Sequence, residues 1–500
     1  MREIELKFQI PAERRAAVWS ALRRGPLSST RLRAHYFDTS EGLLAGHAIA
    51  LRLRHEGDRW IQTLKATEGN SAVRLEHNVE VASSADATPI LDPSRHAGSP
   101  AYRLLNSALA AAGQGEKALR EVYRTDIQRH NRLLKVRGAL IELALDEGDV
   151  IAGEARHSLC EIEFELKSGA VSGLFTLAAL WVERYGLWLD TVTKSERGHL
   201  LARGQSYGPA VRARPPAFTT KPDPGAFARS CVEACLAQVL PNASAIAAGS
   251  EQAQHVHQLR VGLRRLRTAL GEMAEFDCGI DAGWEPRLAL LFKALGTERD
   301  RHMIARLEET LRGAGSPPLP PLPPSVAPGS LSALLRVGDI QQVLLAALAF
   351  ATNAAPASGI AFEGDPLEAL CTRLDQLRHE VKRDARRFAD APVDVQHRTR
   401  RRLKRLRYLA EFVTPLFGDR PASTFLQAVR RAQDASGASN DEAVAMDHYR
   451  EQAAGPGHAG AYFAMGWLAA RQAASALAAA QALKAAVRAP RFWRSKRRRG

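Results

Sequence analysis

Glu3, Glu5 and Lys7 are separated by single apolar residues, Ile4 and Leu6, and Phe8 follows. In an extended strand successive side chains alternate, so the two carboxylates and the ammonium share one face and the apolar residues the other. Carboxylates at i and i+2 suit a hard divalent cation, and an ammonium at i+4 suits an anion beside it. An edge strand with a solvated outer face shows the same alternation. What separates the two readings is recurrence.

The pattern returns along the chain. Arg52 and Arg54 oppose Leu51 and Leu53, Lys65 is in register with Thr63, and the run 73–80 carries Arg74, Glu76 and Glu80. Val122–Thr125 supplies Arg124, Leu140–Asp146 supplies Glu142 and Asp146, and Cys160–Leu166 sets Glu161, Glu163 and Glu165 on one face. A merely wet face would mix Ser, Thr, Gln and Lys; this one separates into basic pairs and acidic pairs. Strands of this kind close into a barrel with a polar lumen and an apolar outside covered by helices. Basic strands grip phosphate oxygens through charge-assisted hydrogen bonds, and acidic strands hold Mg2+ or Mn2+. Phosphoryl transfer is the chemistry such a lumen suits, because it runs mainly on positioning and charge neutralisation. A helix-like stretch, Ala12–Arg24, lies between the first two strands.

The ordered set Glu3-x-Glu5-x-Lys7, Arg52-x-Arg54, Lys65, Arg74-x-Glu76, Arg124, Glu161-x-Glu163 and Lys194 resembles the CYTH superfamily of triphosphate tunnel metalloenzymes, over residues 1–203. The resemblance implies an eight-stranded antiparallel tunnel with flanking helices. It implies that Glu3, Glu5, Glu76, Glu161 and Glu163 bind divalent metal. It also implies that Lys7, Arg52, Arg54, Lys65, Arg74, Arg124 and Lys194 line the triphosphate path. Glu3, Glu5, Lys7 and Lys65 are the expected centre of catalysis. The choice among Glu161, Glu163 and Glu165 stays open, as does that between Glu142 and Asp146. Inorganic triphosphatases, thiamine triphosphatases, class IV adenylyl cyclases and RNA triphosphatases share the fold, which alone does not choose among them.

Residues 204–223 are rich in Gly and Pro and read as a linker; beyond them helical periodicity takes over. A proline-rich spacer, 313–329, divides the helical region 224–487 into arms 224–312 and 330–487. The arms repeat. His257-x-x-Arg260-x-x-Leu263-Arg264-Arg265-Leu266-Arg267 returns 140 residues later as His397-x-x-Arg400-x-x-Leu403-Lys404-Arg405-Leu406-Arg407, with six identical positions. Acidic sites follow in each arm, Arg299-Asp300 and Asn440-Asp441. On a helix His257, Arg260, Arg264 and Arg267 form one stripe, as do their counterparts, and stacked like charges repel unless an anion neutralises them. These motifs resemble the CHAD domain. That resemblance implies an all-α duplicated bundle around a basic channel, with His257, Arg260, Arg264, Arg265, Arg267, His397, Arg400, Lys404, Arg405 and Arg407 binding inorganic polyphosphate. Few aromatics interleave, which disfavours single-stranded nucleic acid bound by base stacking.

The fold class is therefore α+β, a tunnel domain followed by a helical one, and the 500-residue length fits two or three domains. The net charge of +15 points to a polyanionic partner, nucleic acid, anionic membrane or polyphosphate; the two resemblances imply inorganic triphosphate and polyphosphate, with polyphosphate granules as a further partner. Five cysteines without CxxC spacing, no charged-then-apolar leader and no membrane-spanning run give a cytoplasmic expectation. The acid-free basic end, 488–500, reads as a solubilising tail with non-specific polyanion affinity. Together these features predict a Mg2+- or Mn2+-dependent inorganic triphosphatase carrying a polyphosphate-binding module. The alternatives are another CYTH activity, thiamine triphosphatase or adenylyl cyclase, and a non-catalytic polyphosphate scaffold.

Overall fold

In a computed structural model the described residues are all except 1–3, 68–73, 83–87, 219–221, 275, 277–278, 324–328, 354–364, 455–458 and 495–500. The chain divides into two compact units: Met1–Pro209 with Arg336–Leu345, and Ala210–Leu335 with Ala346–Gly500.

The first unit is built on nine strands: β1 (Glu5–Gln9), β2 (Ser28–Asp38), β3 (Ile49–Glu56), β4 (Arg59–Thr67), β5 (Arg74–Val81), β6 (Arg120–Val136), β7 (Ala139–Ala152), β8 (Ala155–Ser168) and β9 (Trp188–Leu189). They form one sheet in the order β5-β4-β3-β2-β6-β7-β8-β1-β9, antiparallel at every pairing. The ninth strand is a two-residue addition to the eight expected. Helices α1 (Arg15–Leu22), α2 (Leu43–Gly46), α3 (Pro100–Ala111), α4 (Val171–Tyr185) and α5 (Lys194–Ala202) accompany the sheet.

One face of the sheet is apolar because period-2 alternation sorts Leu51, Leu53, Leu64, Ile162 and Phe164 to it, and all five are fully buried. Helix α3 covers Leu51 and Leu64 with Leu105 and Leu109; its start is set by Pro100 and by Ser99, whose hydroxyl accepts from the Tyr102 amide. Helix α4 packs Trp181 edge-on to Phe164 at 5.5 Å. Each such leucine contributes about 2 kcal/mol by burial. The opposite face keeps the charged residues, and α5 lies against β6, β7 and β8. Gly198 permits its close approach, since a Cβ there would fall 2.1 Å from the Tyr123 ring. Thr193 caps α5 by accepting from the Glu196 amide, so Lys194 is its first residue. Within this unit the buried Gln341 side chain accepts from the Leu189 amide.

The remaining helices are α6 (Pro224–Ala247), α7 (Ala253–Met273), α8 (Trp284–Gly313), α9 (Ser330–Arg336), α10 (Gly338–Ala351), α11 (Pro366–Asp384), α12 (Val393–Phe417), α13 (Asp419–Ala453) and α14 (Ala459–Arg488). Helix α8 ends and α9 begins on either side of the proline-rich stretch. In the second unit α7 packs against α12, bringing the two repeated motifs onto neighbouring helices. A separate apolar core joins Met303, Ile304 and Leu311 of α8 to Ala445, Met446 and Tyr449 of α13 and Ala464 and Leu468 of α14. The basic tail departs from its solvated expectation over 491–494. Phe492 and Trp493 are 2% exposed and pack on Phe425, while Asp375 binds Arg491 and Arg494. Aromatic burial outweighs the chain entropy there. No single helix among the described residues is long and apolar enough to cross a membrane.

Candidate functional site

Register across β6, β7, β8 and β1 aligns Arg129 with Asp146, Asp146 with Glu161, and Glu161 with Gln9, all on the polar face. Lys7 sits opposite Glu163 and Glu5 opposite Glu165. Carboxylate oxygens of Asp146, Glu161 and Glu163 all lie within 4.8 Å of one another, a donor set that suits a hard divalent cation. Asp146 and Glu161 are fully buried. Arg129 binds Asp146 at 2.6–2.7 Å and Glu163 at 2.5 Å. Lys194, from the first turn of α5, bonds all three carboxylates. Lys7 Nζ donates to the Val192 carbonyl and stands 3.6 Å from Glu161. Gln9 donates to Glu161 at 3.1 Å and to Asp190 at 2.8 Å, and Arg197 binds Asp190 at 2.6 Å.

Burial pushes the Asp146 carboxyl up, but the Arg129 hydrogen bond and the Lys194 charge more than reverse that and hold it below its ordinary range. The same two cations hold Glu163 low against its own burial. Burial works against the Lys194 ammonium, yet Glu161, Asp146 and Glu163 keep it protonated well beyond the ordinary lysine range.

The basic side of this face is assembled from β2 to β5. Arg52 pairs by register with Tyr36 and donates to its hydroxyl at 3.2 Å; Tyr36 stacks on Tyr123 at 4.5 Å. Burial raises the Tyr36 hydroxyl, and the Arg52 charge and hydrogen bond together carry it below its ordinary value. Arg54 shares the face and binds Glu56 at 2.9 Å; Lys65 binds Glu76 at 2.8 Å.

Several expected residues fall elsewhere. Arg124 is exposed on the outer face, in register with His35 and out of phase with Tyr123 by one residue, so it does not join Arg52. Period-2 alternation sends its side chain away from the lumen. Glu76 is held by Lys65 and is not among the Asp146, Glu161 and Glu163 set. Glu165 and Glu142 instead share Lys167, at 2.8 and 3.2 Å. Glu3 and the Arg74 side chain lie outside the described residues. Arg129, Gln9, Asp190 and Tyr36 were not anticipated. Extending the β6 alternation beyond Thr125 points to Arg129, and Thr193-x-x-Glu196 is a capping-box spelling that announces the turn carrying Lys194.

In the second unit the stripes on α7 and α12 meet a third contributor, Arg299 of α8. His257, Arg260, Arg264, Arg299, Arg400 and Lys404 act on one another electrostatically, with Asp300 and Asp441 as the carboxylates among them. Arg299 binds Asp300 at 2.8 Å and Asp441 at 2.5 Å. Phe292 lies under Arg260, Arg264 and Arg267, whose guanidinium carbons stand 4.3, 5.0 and 5.6 Å from its ring centre. Burial, reinforced by Arg264, Arg400 and Arg299, drives Lys404 down to about 6; burial brings Arg260 and Arg400 down to about 10. His257 and His397 are lowered by burial and by their basic neighbours. Arg265 is not on this face: it is 1% exposed and bonded to the Gln238 side chain and the Arg214 carbonyl. Arg405 pairs with Glu272, Arg267 with Glu285 and Arg407 with Glu411.

The fold and these two clusters define a sheet domain with converging carboxylates and bases on one face, joined to a helical domain with a basic face. Residues 1–199 match the CYTH domain and residues 230–450 the CHAD domain, in that order along the chain. Over 170 residues it is 29% identical to an inorganic triphosphatase of Haemophilus influenzae, covering 34% of this chain and 46% of that relative, about half of its length. A solved CHAD domain from the plant Ricinus communis is 25% identical with a TM-score of 0.42, covering 57% of this chain and 98% of that one.

Proposed function

We propose that the first unit hydrolyses inorganic triphosphate and that the second binds polyphosphate. The observation that carries the reading is the division of one sheet face into three converging carboxylates and a row of bases. Asp146, Glu161 and Glu163, with Glu5 on the same face, would hold Mg2+ or Mn2+; the oxygen-only donor set and its burial fit such an ion. A bound dication would supply Lewis-acid charge to phosphoryl oxygens. Arg52, Arg54, Lys65 and Lys7 would grip the remaining oxygens and orient the chain. Arg129 keeps Asp146 and Glu163 ionised and fixed, and α5 excludes water from the Tyr36–Tyr123 side of the face.

Similarity to an inorganic triphosphatase supports this over the thiamine triphosphatase and adenylyl cyclase alternatives. A scaffold that only binds polyphosphate would gain nothing from buried carboxylates beside its bases. In the second unit, cations that face one another, with Asp300 and Asp441 among them, support binding of a dense polyanion. Buried thiols one turn apart, Cys231 and Cys235, support a reducing, cytoplasmic setting. Turnover of tripolyphosphate, thiamine triphosphate and ATP, each with Mg2+ and with Mn2+, tests the assignment. Preference for tripolyphosphate is expected; a cyclic product from ATP, or no metal-dependent turnover at all, would displace it.

A further inference from the structure

Lys194 Nζ lies 2.7 Å from Asp146 Oδ2, 2.5 Å from Glu161 Oε1 and 2.7 Å from Glu163 Oε1. An ammonium so placed fills the cage whose oxygens suit a divalent cation. Mg2+ takes its oxygens at roughly 2.0–2.1 Å, and like charges repel at such range, so both cannot hold the same cage. Arg129 does not compete in the same way, because it lies along Asp146 Oδ1 and Oδ2 and Glu163 Oε2 and leaves Glu161 and Glu163 Oε1 to Lys194.

We propose that Lys194 is a resident counter-ion of the metal cage that exchanges with the divalent cation on loading. Without metal it neutralises carboxylates that are otherwise buried together; with metal it must leave. Its long flexible stem springs from the first residue of α5, and its charge already acts on the Tyr36 hydroxyl, which Arg52 also touches. The displaced ammonium therefore has a phosphate chain lying on the basic row as its next partner. Metal and phosphate would then favour each other through one side chain, reciprocally.

This inference rests on the metal reading above, and its test reads metal affinity, not hydrolysis. Mn2+ binding to the full chain is measured by calorimetry without phosphate, for wild type, Lys194→Met and Lys7→Met. Lys7 loses the same charge but stands 3.6 Å from Glu161, outside the cage. Exchange predicts at least about tenfold tighter Mn2+ binding for Lys194→Met and less than about threefold for Lys7→Met, since only the first removes a competitor. Lys194→Gln, a neutral hydrogen-bonder, gives the same comparison if the methionine variant does not fold. Unchanged affinity in the Lys194 variants, or equal tightening in Lys7→Met, would overturn the exchange. If tripolyphosphate hydrolysis proves metal-dependent while Lys194→Met binds Mn2+ no better, the function stands and the exchange fails. No Mn2+ binding in any variant would sink the metal reading and the exchange with it.

Discussion

Two half-buried lysines, one in each unit, have opposite fates. Lys194 enters a group of three carboxylates and stays charged far beyond the ordinary range; Lys404 faces Arg264, Arg400 and Arg299 and is driven down to about 6. Burial acts against the charge in both, so neighbours decide the sign. The first cluster is nearly self-neutralised and gains by exchanging one cation for another. The second is in cationic excess and gains by acquiring an anion. Under the proposed function the sheet unit would take metal together with phosphate, and the helical unit phosphate alone.

The largest expected effect tests the second half of that contrast. Arg264→Glu with Lys404→Glu should weaken long-chain polyphosphate binding by about a thousandfold, since each reversal of a buried charge contact costs on the order of 2–5 kcal/mol. Each single reversal should cost less. Normal binding by the double variant, in filter retention or calorimetry, would remove this face from polyphosphate recognition.

Arg52→Ala comes next, with tripolyphosphate kcat/KM falling about a hundredfold through loss of a charge-assisted contact of roughly 2–3 kcal/mol. Wild-type steady-state kinetics in that variant would mean the substrate does not lie along the basic row.

A smaller effect reads Lys404 directly. Its folded-state value of about 6 lies below the ordinary 10.5, so between those values the unfolded chain binds the extra proton. The resulting penalty on the fold is full below about pH 6, shrinks as pH rises, and vanishes above the unfolded value. Lys404→Met should therefore melt above wild type at pH 6, with the gap closing by pH 9–10 and polyphosphate erasing it. The facing groups Arg264, Arg400, Arg299 and Asp441 are common to both proteins, so their own titration cancels. A gap constant with pH in thermal melts would place Lys404 among solvated lysines.

The smallest effect belongs to Arg124→Ala. On the outer face it should change tripolyphosphate kcat/KM by less than about twofold, as ordinary surface substitutions do. A loss matching that of Arg52→Ala would reverse the assignment of faces on β6.

Much of this was readable along the chain because it depends on local periodicity. Alternation put Glu5 and Lys7, Arg52 and Arg54, and Glu161 and Glu163 on shared strand faces, and the repeated His-x-x-Arg motif announced two equivalent helices. Which groups meet depends on strand register and helix packing, and these belong to the tertiary structure. Glu161, Glu163 and Glu165 have the same parity, but pairing with β7 gives Asp146 to the first two and leaves Glu165 with Glu142 and Lys167. Arg124 and Arg129 sit on one strand and only their phase relative to Tyr36 separates them. Arg264 and Arg265 are neighbours in the motif, yet a 100° turn of the helix sends one to the basic face and the other into the core against Gln238. Periodicity is a property of one segment; adjacency across strands and helices is settled only when hydrophobic faces pack, and that packing decided which charges answer one another.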